Sequence, residues 1–182
     1  MKKVTFLLVG ILIFGVSNLV QAQENSHGLR IDIPTHAMVA LAGAEDIVFE
    51  TIEPTLAGGK VTFEQQGNTE IWLNYSSIVS ASNKMNDISA QLSSDIEGIT
   101  IRVEVGEDAE DSKKGKTGTG TMQTLSSGSG ATVVTGIGSC FTGTGVEKGH
   151  SVKYFVSADE NSYADITAND NDITVTYTIT ER

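Results

Sequence analysis

Apolar residues recur at every second position along much of this chain, and no other feature limits its possible folds as much. Leu29, Ile31 and Ile33 alternate with Arg30 and Asp32. Ile99, Ile101, Val103 and Val105 alternate with Thr100, Arg102 and Glu104. Ile173, Val175, Tyr177 and Ile179 alternate with Thr174, Thr176 and Thr178. Successive side chains of a strand point to opposite faces, so each run predicts a half-buried strand with one face in a core and one in water. Shorter runs predict strands at 37–41, 47–52, 60–63, 70–75, 88–92, 122–125, 131–137 and 152–156. Turn signals separate them: Gly58-Gly59, Gln66-Gly67-Asn68, Ser127-Gly128-Ser129-Gly130, Gly143-Thr144-Gly145 and Asn169-Asp170-Asn171. Residues 80–92 come nearest to a helix but lack a continuous apolar stripe. Many short strands with one wet face predict an all-β, antiparallel sandwich and exclude a parallel sheet covered by helices.

The N-terminus has a different character. Lys2 and Lys3 precede an apolar run from Phe6 to Val16, and Val20-Gln21-Ala22 places small residues at the −3 and −1 positions. Residues 1–22 therefore read as a secretory signal cleaved before Gln23. The run is shorter than the roughly 20 apolar residues of a membrane span, so the mature chain is expected to carry no integral membrane segment. Residues 23–182 are long enough for one domain with its own core. The 182-residue chain has a net charge of −11, and loss of Lys2 and Lys3 makes it −13. Such a charge argues against nucleic acid and anionic membrane surfaces as partners. Cys140 is the single cysteine. No intramolecular disulfide can form, so folding must rest on packing and backbone pairing. Flanked by turn-like glycines, Cys140 reads as a small buried residue.

Residues 107–120 read as a flexible loop: acidic at Glu107, Asp108, Glu110 and Asp111, basic at Lys113, Lys114 and Lys116, then Thr-Gly repeats. Enzyme signatures are missing. His27, His36 and His150 stand in no catalytic spacing, and no Gly-x-Ser-x-Gly elbow occurs. His150 reads as part of a turn leading into a strand. Adjacent carboxylates such as Glu45-Asp46 read as charged loops, not as acids facing across a sugar cleft. Two binding candidates remain. Asp159, Asp165, Asp170 and Asp172 could supply oxygens to calcium, although their spacing is not that of an EF-hand and Asp and Asn also serve turns. Trp72 and Tyr75 could form a carbohydrate platform, while a tryptophan on a central strand is expected to fill the space between sheets. Asn74-Tyr75-Ser76 has the form of a glycosylation sequon.

The terminal strands carry a family resemblance. Leu29-Arg30-Ile31-Asp32-Ile33-Pro34 opens the mature chain as a short alternating strand stopped by proline, and residues 173–180 close it as a Thr-rich strand with a near-terminal tyrosine. In this plan the chain resembles secreted bacterial proteins of the pilin and spore-coat-protein-U type. The resemblance implies an immunoglobulin-like β-sandwich that builds surface fibres or coats, in which an N-terminal extension of one subunit completes the sheet of the next. It implies no catalytic residues. Two departures are visible: Cys140 lacks the partner of the usual disulfide, and Ala168-Asn169 stands where a glycine is usual. The expected function is a non-enzymatic structural or adhesive protein of the periplasm, cell surface or extracellular space. Its copies would join through Leu29, Ile31 and Ile33, spaced to fill alternate pockets of a partner's sheet edge. The alternative is a carbohydrate- or calcium-binding module. No other cofactor is expected.

Overall fold

A computed structural model describes residues 27–43, 46–64, 71–109 and 114–182. The predicted signal segment lies outside these residues. The chain divides into two compact units, Met1–Asp32 and Ile33–Arg182. In the first, the described residues 27–32 form no strand, and Leu29 and Ile31 are 81% and 73% exposed. The half-buried strand predicted at 29–33 is therefore not formed. Alternation supplies a suitable face, but a strand also needs a neighbour to take up its N–H and C=O groups.

The second unit is nearly all β. Its twelve described strands are β1 (His36–Ala42), β2 (Thr51–Ile52), β3 (Thr62–Phe63), β4 (Ile71–Ile78), β5 (Asn86–Leu92), β6 (Ile99–Asp108), β7 (Thr119–Gly120), β8 (Met122–Thr124), β9 (Ala131–Ile137), β10 (Cys140–Phe141), β11 (His150–Ala158) and β12 (Val175–Glu181). One sheet has the order β1-β4-β11-β6-β8, with β10 also on β4. A second has the order β12-β5-β9-β7, and β2 and β3 form a small ribbon. Every ladder is antiparallel.

Alternation sets the core. Ile71, Leu73 and Tyr75 of β4, Val103 and Val105 of β6, and Val152 and Tyr154 of β11 are buried in one cluster with Ile88, Ala90 and Leu92 of β5 and Val133, Val134 and Ile137 of β9. Each large aliphatic side chain so enclosed contributes about 1.5–3 kcal/mol relative to exposure. Val133 and Val134 are neighbours in sequence yet both fully buried, because the β5–β9 register shifts next to them.

The chain changes repeatedly between the two large sheets, and two of these crossings take only one or two residues. Residues 119–120 pair with β9 in the second sheet, and residues 122–124 pair with β6 in the first. Thr121, at the crossing, donates its N–H to Val133 O and accepts from Val105 N–H, so it is bonded to both sheets. Gly120 allows this close passage: a Cβ there would stand 2.2 Å from Val105 O and 2.3 Å from Gly106 O. The second crossing joins β9 to β10 through Gly138 and Ser139. Strand structure therefore reaches into both ends of the loop predicted at 107–120. Lys116 also exchanges backbone bonds with Ser139 and Gly138. Glu110, Asp111 and Lys113 lie outside the described residues.

Candidate functional site

The most developed polar arrangement is sealed inside the unit. His150 is 0% exposed and Tyr75 4%. Tyr75 and His150 sit on neighbouring strands, in the face-sharing register His150↔Leu73, and their rings stack with centroids 5.5 Å apart and planes 15° from parallel. The hydrogen bonds assign the tautomer. Gly106 O can only accept, so His150 Nδ1, at 2.7 Å, carries the proton. His150 Nε2 then accepts from the Tyr75 hydroxyl at 2.8 Å. The same hydroxyl accepts from Gly118 N–H at 3.0 Å. Each of these polar atoms is thereby satisfied without water. Burial pushes the Tyr75 phenol well above its usual range, keeping it the neutral donor this chain of bonds requires. The arrangement ties β4, β6 and β11 to the entry of β7. With both rings buried and bonded to three strands, it acts as a structural joint.

The sequence candidates are not brought together. Tyr75 faces the core. Trp72, three residues away on the same strand, falls on the opposite face and is half-buried. The expectation that Trp72 fills the space between sheets is corrected by strand parity, since the inward positions of β4 are taken by Ile71, Leu73 and Tyr75. Tyr75 and Trp72 cannot then share one ligand surface. Beside Trp72, the ladder places Ala42 of β1 and Ser151 of β11. The sequon asparagine, Asn74, is 6% exposed. Its amide donates to Lys148 O at 2.5 Å and accepts from Gly145 N–H at 2.8 Å, so the folded chain hides it.

Among the described residues, no group of three or more His, Cys, Asp or Glu side chains is arranged to hold a metal ion. Asp159, Asp165, Asp170 and Asp172 thus form no cluster of that kind. Asp159 instead accepts from Asn161 N–H at 2.9 Å, a local Asx turn. Cys140 is buried, as the sequence implied, and burial pushes its thiol up to about 11, away from the reactive thiolate. It lines an apolar-walled cleft of about 370 Å³ together with His36, Ile78, Lys114 and Phe141.

No protein-family model, no curated protein and no solved structure matches this chain. Among the described residues, no helix is long and apolar enough to cross a membrane.

The remaining candidate is a sheet edge. Among the described residues, β1 is hydrogen-bonded to β4 alone and β12 to β5 alone. The two strands approach to within 8 Å (Cα–Cα) without forming a ladder. At one end a cleft of about 270 Å³ separates them, lined by His36, Ala37, Ile78, Ser80, Asn86 and Glu181. β1 reads His-Ala-Met-Val-Ala-Leu-Ala. It lacks the lysines, prolines and bulges with which sheet edges are usually blunted. Its outward face bears Met38, 61% exposed, and at the rim of the core Leu41 is 37% exposed. The sequence showed β1 as a strand but not as an edge. Its lack of charge was the available signal.

Proposed function

We propose that this protein is an exported structural or adhesive subunit whose copies join by adding the segment around Leu29, Ile31 and Ile33 to the open edge of β1 in a neighbouring copy. In this reading residues 1–22 are a signal peptide removed on export. The two large sheets form an immunoglobulin-like sandwich of the kind the pilin and spore-coat-protein-U resemblance implies. The protein has no catalytic role. The observation that carries the reading is the β1 edge: seven residues without Lys, Arg, Asp or Glu, with β4 as their one hydrogen-bonded neighbour strand among the described residues. Main-chain pairing would supply affinity there, and apolar side chains two residues apart would set the register. Leu29, Ile31 and Ile33 have that spacing, with Arg30 and Asp32 left to face water.

Light scattering of the processed chain across a concentration series tests this directly. The expected result is a mass above one subunit, reduced to a monomer by Ile31→Asp. A wild-type chain that stays monomeric at every concentration, or an Ile31→Asp variant that associates equally well, overturns the proposal.

A second reading has one observation in its favour. Trp72 lies on an outward sheet face and not between the sheets, which suits a carbohydrate platform. Quenching or shift of the single-tryptophan fluorescence by oligosaccharides would support it, and an unaltered spectrum across a panel of sugars would dismiss it.

A further inference from the structure

The segment 29–33 and the open strand β1 are separated by Pro34 and Thr35 alone. Two antiparallel strands with a two-residue link would ordinarily close as a hairpin. Such tight hairpins use turns of type I′ or II′, both of which require positive φ at the first central residue. That residue here is Pro34, whose ring holds φ near about −65°. Thr35, β-branched, is equally unsuited to the second left-handed position of a type I′ turn. Among the described residues, Glu147 is the one non-glycine residue with positive φ, so neither Pro34 nor Thr35 adopts it.

The three-residue hairpin is also closed off. A type I turn with Pro34 at its second position needs a left-handed residue immediately after the turn. That position is His36, which is already the first residue of β1 and has no positive φ. Parallel pairing is excluded by length, since it needs a crossover of about a dozen residues.

We infer that Pro34-Thr35 is a block against self-capping: it denies residues 29–33 the tight hairpin by which they would close onto the β1 edge of their own chain, and so reserves both for a second copy. The inference rests on the strand-addition reading above. It adds the reason why addition would occur between chains and not within one. Until another copy supplies the complement, β1 has β4 as its one hydrogen-bonded neighbour strand among the described residues.

The test replaces the block with a turn that favours hairpins. Pro34→Asn with Thr35→Gly introduces an Asn-Gly type I′ turn, and Thr35→Gly alone keeps the proline as a control. Mass is measured by light scattering, and amide hydrogen exchange is followed over residues 29–42. The double variant is expected to be monomeric, with exchange at residues 29–33 slowed about tenfold or more by the new ladder. Thr35→Gly is expected to associate as the wild type does.

A double variant that associates like the wild type with no added protection overturns the inference, even where Ile31→Asp has upheld strand addition. A Thr35→Gly variant that becomes monomeric also overturns it, because the retained Pro34, whose fixed φ excludes both tight turns, would then have failed to prevent the hairpin. If the wild type never associates, strand addition fails and the reservation for a second copy fails with it, whatever protection the double variant gains.

Discussion

The two sides of this unit are closed in opposite ways. On the β7–β8 side a single run of chain, 119–124, belongs to both large sheets, and Thr121 is hydrogen-bonded to each. Just inside it, Gly118, Tyr75, His150 and Gly106 form an unbroken line of donors and acceptors. On the β1–β12 side two strands come near each other with no ladder between them. The first side pairs its backbone groups across both sheets, and on the second, among the described residues, β1 and β12 each have one hydrogen-bonded neighbour strand. A fold that seals one side so thoroughly can leave the other open without losing its core, because the buried cluster lies chiefly on the inner strands β4, β5, β6, β9 and β11.

This contrast predicts a graded set of effects. The largest should come from the sealed side. His150→Ala empties a fully enclosed volume, leaves the Tyr75 O–H without its acceptor and Gly106 O without the imidazole donor, and should cost about 3–5 kcal/mol in urea unfolding. A loss under 1 kcal/mol would show that the joint does not hold the sheets. Gly120→Ala should follow at about 3 kcal/mol, since its Cβ would press on the carbonyls of Val105 and Gly106. A variant of unchanged stability would mean that the crossing strand can move aside.

The Tyr154 and Tyr177 hydroxyls, 2.7 Å apart, bond one large sheet to the other. Burial raises both phenols. A raised folded value favours the neutral form, so this contribution is complete below about pH 10, the unfolded value, and is lost as pH rises towards the folded one. Denaturation midpoints should therefore fall above pH 10. Tyr154→Phe should cost about 1 kcal/mol at neutral pH and flatten that alkaline slope.

Smaller effects belong to the open side. The Glu181 carboxylate accepts from both the N–H and the hydroxyl of Ser80, and these bonds hold it below its usual range. A lowered folded value stabilises above the unfolded carboxylate value and is lost as pH falls through the folded one. Because the group is exposed, Glu181→Gln should shift the thermal midpoint only slightly, and chiefly by flattening the acid limb. Least of all, Ile31→Asp should leave monomer stability within about 0.5 kcal/mol of wild type while reducing the associated mass. A large destabilisation would place Ile31 in the core of its own chain and erase the distinction between the two sides.

Most strands were legible because their signal is local. The run predicted at 131–137 matches β9, and the runs at 37–41, 88–92 and 152–156 lie inside β1, β5 and β11. The two-residue strands β7 and β10 were not legible, since a period of two cannot be recognised in two residues. Trp72 was misplaced because its apolar bulk outweighed its parity; Ile71, Leu73 and Tyr75 already marked the inward face. His150 was taken for a turn residue. Its spacing to Val152, Tyr154 and Val156 would have placed it on the buried face. Nothing local could have paired it with Tyr75, 75 residues away.

What the sequence determined alone is the all-β character, the absence of any internal disulfide, and the Pro34-Thr35 junction that refuses a tight hairpin. These follow from side-chain parity, from a cysteine count and from the fixed φ of proline, all properties of residues near one another in the chain. Tertiary structure alone decided which strands became edges, where the chain changes sheets, and which polar side chains meet inside. Those outcomes depend on how distant ladders close around a shared core, and a ladder's position is set by its neighbours rather than by its own residues.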